Sequence, residues 1–142
     1  MKCSVFGALT ILTFALIVSV PMTQAQARTR GSVPFDFSLG QRSMPAGLYE
    51  ISSVNEKVLA VRNLETGEAR LLIKSMQVEA SLAAGTPHAK LVFRQYGDQY
   101  FLAEIWDGRS SIGTAFPESK REKELKWARD AHQPELVVIA MK

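Results

Sequence analysis

Apolar and polar positions alternate with a period of two over much of this chain, and that period predicts strands. Val33, Phe35, Phe37 and Leu39 alternate with Pro34, Asp36 and Ser38, which reads as a half-buried strand over 32–39. Pro34 has no N–H to give a ladder, so it belongs at an edge or a strand start. Leu48 to Val54 and Lys57 to Leu64 read as two more strands about a tight turn at Asn55-Glu56. Glu65-Thr66-Gly67 then predicts a three-residue hairpin loop, with Gly67 at the left-handed position. That loop sets Val61 opposite Leu71 and Leu59 opposite Ile73 on one apolar face. It also sets Arg62 opposite Arg70 towards water, a mildly unfavourable pair.

The densest pattern is Lys90 to Trp106, two apolar and aromatic runs about Gly97-Asp98. A two-residue turn there pairs Tyr96 with Gln99 and Phe93 with Leu102. Apolar parity asks for another register. Leu91 and Phe93 match Phe101, Ala103 and Ile105 only across a three-residue loop, and a one-residue change flips a whole face. Either the hairpin carries a bulge or both faces are covered. Val92, Leu102 and Trp106 make the second face apolar too, which favours covered faces.

The remaining segments are shorter. Arg28 to Arg30 reads as a frayed end, and 40–47 as a loop with a Pro-Ala-Gly corner. Gln77 to His88 is small and Ala-rich, a short edge strand or a loose connection, and Ile112 to Phe116 is a short strand. One stretch changes period. Ser119 and Glu122 make a capping box. Lys120–Glu124 and Glu122–Lys126 are i,i+4 pairs. They predict a helix over about 119–131 with a narrow seam at Leu125, Ala128 and Trp127 or Ala131. After Pro134, residues 135–141 form a continuous apolar strand, expected to be buried on both faces. The whole predicts an all-β fold, a sandwich or small barrel of six to eight mostly antiparallel strands, with one C-terminal amphipathic helix.

The first 27 residues follow another pattern. Lys2 precedes an uncharged apolar run from Val5 to Val20, and Ala25-Gln26-Ala27 fits a small-x-small cleavage site. Residues 1–27 are expected to be a signal peptide. Residues 28–142 are then one exported domain, periplasmic or secreted, with no transmembrane segment. The only cysteine, Cys3, falls within the signal, so no disulfide, thiol nucleophile or cysteine metal ligand is expected. The chain holds 17 Lys and Arg against 14 Asp and Glu. That near balance points away from nucleic acid and from anionic membrane.

Reactive constellations are scarce. The two histidines, His88 and His132, are far apart, and no metal-ligand spacing occurs. Ser110-Ser111 lacks a nucleophile elbow, and the glycines form no phosphate loop. No cofactor, metal or catalytic residue is expected. Carboxylates are the best enzymatic case: Asp36, Glu50, Glu104 and Asp107 lie on or beside strands. Glu104 falls within an apolar strand and would otherwise pair with Lys90 or Arg94. The aromatics Tyr96, Tyr100 and Trp106, with Tyr49, suit a sugar- or peptide-binding strip as well as a core. The candidate binding residues are Tyr96, Tyr100, Trp106, Glu104 and Asp107.

Four motifs occur in order: Val33-Pro34-Phe35-Asp36-Phe37, Met44-Pro45-Ala46-Gly47-Leu48-Tyr49, Tyr96-Gly97-Asp98-Gln99-Tyr100-Phe101-Leu102, and Ser119 to Leu125. Their order resembles a group of small exported bacterial proteins of unassigned function. That group shows a signal peptide, a PFDF-like strand, an LPAGxY-like corner and a YGDxYFL-like hairpin. Met44 stands where the group has Leu. The resemblance implies one exported β-rich domain and brings no catalytic residues. The expected function is a non-enzymatic binding or structural module of the bacterial cell envelope, its partner an envelope protein or an extended polymer. The alternative is a small hydrolase or lyase acting on envelope or extracellular carbohydrate through paired carboxylates.

Overall fold

The stretch from Lys90 to Trp106 forms the central hairpin, β8 (Ala89–Tyr96) and β9 (Gln99–Asp107). Both devices that the sequence posed as alternatives are present. The loop is the two-residue Gly97-Asp98, with Tyr96 opposite Gln99 and Phe93 opposite Leu102. Gly97 takes φ 66°, a left-handed value that suits glycine. The register then shifts by one between Val92 and Phe93, so Val92 faces Glu104, Leu91 faces Ile105, and Ala103 is the extra residue. This bulge restores parity: Leu102 and Ile105 both point into the core with Leu91 and Phe93. The opposite face is buried as well, through Val92, Tyr96, Phe101 and Trp106.

The structure is a computed structural model that describes residues 28–79, 88–128 and 133–142. The expected signal peptide, most of the Ala-rich connection and the last turn of the expected helix lie outside the described residues. The other elements are β1 (Arg28–Val33), β2 (Phe37–Leu39), β3 (Arg42–Met44), β4 (Gly47–Ser53), β5 (Val58–Asn63), β6 (Ala69–Ile73), β7 (Met76–Glu79), β10 (Ile112–Ala115), α1 (Lys120–Ala128) and β11 (Glu135–Ala140). Among the described residues the chain is mostly strand in two sheets, with one short helix near its C-terminus. The described strands number eleven, more than six to eight, because short pieces count separately. The stretch 32–39 breaks at Pro34-Phe35-Asp36 into β1 and β2, and part of the 40–47 loop pairs as β3. Arg28 to Arg30 is not frayed but lies in β1, paired with β4.

The first sheet runs β1-β4-β5-β6 and the second β11-β8-β9-β10-β7. All these pairs are antiparallel. The exception is β2, which lies parallel to β9 at Tyr100-Phe101 and carries β3 on its other side. Val33, Tyr49, Ile51, Leu59 and Val61 of the first sheet pack on Leu91, Phe93, Leu102 and Ile105 of the second. Phe37 sits between the layers, edge-on to Tyr49 and to Phe93. On one side the sheets are joined: the N–H of Arg30 donates to the carbonyl of Lys142 at 2.7 Å, and that of Lys142 donates back at 2.8 Å. On the other side β6 pairs with nothing beyond β5 among the described residues.

Three of the motifs behind the family resemblance meet in one corner. The ring of Phe35 stacks on Tyr100 with centroids 3.8 Å apart. The N–H of Ala46 donates to Asp36 at 2.7 Å, and the Tyr49 hydroxyl donates to the carbonyl of Pro45 at 2.5 Å. Met44 is fully buried beneath them. These are packing and turn contacts, which join β2, β3 and β4 to the hairpin.

Helix α1 begins as the capping box requires. Ser119 Oγ accepts from the N–H of Glu122 at 3.2 Å, and Glu122 Oε2 accepts from the N–H of Ser119 at 2.6 Å. Its docking differs from the expected apolar seam. Glu122 is the buried residue of the helix, whereas Trp127 is 85% exposed and Ala128 is exposed. Glu122 takes Arg94 of β8 instead of Lys126, and Lys126 pairs with Glu118 at 3.1 Å. The last strand is also corrected. Val137 and Ile139 face the core, but Leu136 and Val138 are exposed, because β11 ends its sheet and is covered on one face only.

Candidate functional site

The five residues nominated from sequence do not form one surface. Tyr96 and Tyr100 sit on opposite faces of the hairpin, since Tyr96 opposes Gln99 and Tyr100 opposes Gln95. Tyr96 is buried edge-on to Phe101. Its hydroxyl has no hydrogen-bond partner among the described residues, and burial raises its pKa, with Glu118 and Glu122 adding to the effect and Arg94 opposing it. Tyr100 is half-buried under Phe35.

Glu104 and Trp106 do form a unit on the outer face. The Trp106 indole N–H donates to Glu104 Oε2 at 2.8 Å, and Lys90 Nζ lies 5.0 Å from the Trp106 ring centroid. Lys90 is the cross-strand neighbour of Trp106, while Glu104 faces Val92, so the expected Glu104–Lys90 or Glu104–Arg94 pairing does not form. Gly113 of β10 lies against the indole, where a Cβ would come within 2.6 Å of the ring. Trp106 is 6% exposed, so this group fills the outer layer.

Asp107 follows Ile105 on the inner side, away from Glu104. It lines an open cleft of about 220 Å³ with Glu56, Lys74, Gln77, Ser110 and Thr114 above Leu59 and Ile105. Its Oδ1 accepts from the N–H of Arg109 at 2.9 Å. Glu104 and Asp107 therefore address different faces. Among the described residues no group of three His, Cys, Asp or Glu gathers in a metal-binding arrangement.

Two further openings, of about 300 and 280 Å³, lie where β6 approaches the β2–β3 turn and the start of α1. Leu39, Leu72, Leu102 and Phe116 line them with apolar surface. Each opening is at or below the size of an ordinary small-molecule pocket. Leu72 of β6 lines both of these, Arg70 and Leu71 line the smaller of them, and Lys74, just past β6, lines the cleft at Asp107.

Backbone direction follows from the hydrogen bonds on the β5 side. The N–H of Asn63 donates to the carbonyl of Glu68, and the N–H of Lys74 donates to that of Lys57. Backbone groups alternate sides in an antiparallel strand, so those of Ala69, Leu71 and Ile73 point away from β5, towards the unpaired edge. The side chains of Leu71 and Ile73 stand on the outer face and are 69% and 72% exposed. An edge that offers free N–H and C=O groups beside exposed apolar side chains can accept another strand. Two of the other edges are less open. Arg30 engages the chain beyond β11 at Lys142, and β3 shows polar Arg42 and Ser43.

Sequence reasoning missed this edge because it placed the β5–β6 register one residue off. The observed pairs are Val61 with Arg70, Ala60 with Leu71 and Leu59 with Leu72. The loop closed by Asn63 and Glu68 holds four residues instead of three. The cause is the Asn63 side chain, whose Oδ1 accepts from the N–H of Glu65 at 2.8 Å and of Thr66 at 3.0 Å. This side-chain turn lengthens the loop and swings Leu71 and Ile73 outward. Asn63 ahead of Gly67 was the available signal. No protein-family model, curated protein or solved structure matches the chain.

Proposed function

We propose that this chain is an exported, non-enzymatic binding or structural module of the bacterial cell envelope, and that it takes an extended polypeptide along the free edge of β6. The observation that carries the reading is the coincidence on one strand of outward backbone groups at Ala69, Leu71 and Ile73 with the exposure of Leu71 and Ile73. Main-chain bonds supply affinity in such strand addition, and alternate side chains supply selectivity. The clefts beside β6 are small and open, which suits an extended chain more than a compact ligand. Export is supported by the apolar run and cleavage pattern of residues 1–27 and by the family resemblance.

A photo-crosslinking residue at position 71 tests it. Exposure to envelope extract should give polypeptide adducts at position 71 and none at the exposed position 127. Absence of adducts at position 71 overturns the reading. A carbohydrate-acting enzyme is the second reading, favoured by Glu56 and Asp107 lining one cleft. Activity on envelope glycans that disappears in Asp107→Asn would support it.

A further inference from the structure

We infer that the strand which β6 accepts is β6 of a second copy, paired antiparallel about Leu71 so that the four-stranded sheets of two chains become one. The inference rests on the strand-edge reading above and names the partner. It begins from the order Glu68-Ala69-Arg70-Leu71-Leu72-Ile73-Lys74, which is self-complementary when run against itself. Pairing about Leu71 sets Glu68 opposite Lys74 of the partner at both ends. Ala69 then faces Ile73 of the partner copy, and Leu71 meets its own equivalent.

The free edge permits few registers. Its outward backbone groups belong to Ala69, Leu71 and Ile73, so these residues must pair among themselves. A register centred on Arg70 would place Arg70 opposite its own equivalent, and one centred on Leu72 would place Arg70 opposite Lys74. Directly opposed like charges disfavour both. Centring on Leu71 removes the like pairs, adds two opposite-charge pairs, and is the register that pairs all three outward residues with one another. It also joins the two exposed apolar stripes on the outer face, covering Leu71 and Ile73, which a single chain leaves 69% and 72% exposed. The two-fold contact is closed, since each copy uses the same edge and leaves none for a third. Unlimited addition along this edge is thereby avoided. About six inter-strand bonds would form across the three outward residues.

The register gives a charge-swap test. Sedimentation of the exported chain at high micromolar concentration should give a mass of two copies. Glu68→Lys alone creates Lys–Lys contacts at both ends, and Lys74→Glu alone creates Glu–Glu contacts. Each should weaken self-association about a hundredfold. Mixing the two single variants should restore a dimer, because every end contact is then opposite in charge, and the double variant should dimerise with itself. Circular dichroism of each variant separates lost pairing from lost folding, and Leu71→Lys, at an exposed site, supplies a second monomeric form. A wild-type chain that stays monomeric overturns the inference, as does a dimer indifferent to the swaps. If the chain is monomeric yet position 71 crosslinks to another envelope polypeptide, the second copy is excluded while the strand-edge reading stands. If it is monomeric and position 71 captures nothing, both fail.

Discussion

Arg94 Nε donates to Glu122 Oε1 at 2.6 Å and a second guanidinium nitrogen donates to Oε2 at 3.4 Å, and this ion pair ties the helix to β8 on the outer face of the second sheet. The Arg94 side chain is 15% exposed and that of Glu122 is 2% exposed. The pair is tied in on both sides. The guanidinium also donates to the carbonyl of Phe116 at 3.2 Å, and the carboxylate caps the N–H of Ser119 at 2.6 Å. Glu122 thus serves as helix cap and as anchor, which explains how a helix with so little apolar surface docks at all.

Glu122→Ala should therefore cost more than an ordinary cap. It strands the Arg94 charge in a largely buried position and frees the Ser119 N–H together. A loss of about 3–5 kcal/mol is expected in urea titration. Lys126→Ala, which removes only the more exposed pair with Glu118, should cost less than about 1 kcal/mol.

The two buried tyrosine hydroxyls should respond in opposite ways to loss of oxygen. Tyr49 donates to the carbonyl of Pro45, so Tyr49→Phe should destabilise by about 1 kcal/mol. The hydroxyl of Tyr96 has no partner among the described residues, so Tyr96→Phe should be neutral or stabilise by about 1 kcal/mol. Burial is the leading cause of the raised pKa of both. With the folded pKa above the unfolded value near 10, their contribution is fully present below that value and is lost as pH rises through the folded pKa. Alkaline unfolding followed by tryptophan fluorescence should be less steep in Tyr96→Phe than in the wild type.

Phe101→Ala should destabilise the fold by about 3–5 kcal/mol. Phe101 lies on the outer face of the hairpin and is 2% exposed, packed edge-on to Tyr96. A comparable loss for Leu102→Ala, on the opposite face, would show by urea titration that both sides of the sheet are core.

How far the pattern of residues could be read depended on which interaction decided each feature. Period-two alternation is legible because burial of a face is a property of every second residue, as at Val33, Phe35, Phe37 and Leu39, although Pro34-Phe35-Asp36 breaks that stretch into β1 and β2. The capping box was readable because Ser119 and Glu122 satisfy each other within four residues. The bulge at Ala103 was only half readable. Parity showed that something had to give, but not whether the loop or the strand would absorb the extra residue. Arg94–Glu122 was not readable, because it joins elements far apart in sequence. Nor was the separation of Tyr96 from Tyr100, which depends on a loop of two residues instead of three.

The exposed edge itself depends on Asn63, and this yields the last prediction. Asn63 is fully buried, and its side-chain oxygen holds the N–H groups of Glu65 and Thr66. Without those bonds the loop has little reason to keep four residues. A three-residue loop would turn Leu71 and Ile73 inward and push Arg70 and Leu72 out, since a one-residue slip exchanges the faces of the strand. Two apolar side chains would gain cover, and the Arg70 guanidinium would regain water. The Asn63 turn thus opposes the burial that β6 would otherwise favour. Asn63→Ala should cost about 2 kcal/mol, the effect of leaving buried backbone donors unpaired. It should also make the β6 register mobile or shift it. A cysteine placed at Ile73 reports on this. Reaction with a bulky thiol reagent should be fast in the Ile73→Cys chain and slower once Asn63→Ala is added. Equal rates in both, with β6 amides unchanged in hydrogen exchange, would show that the β5–β6 ladder sets the register without Asn63.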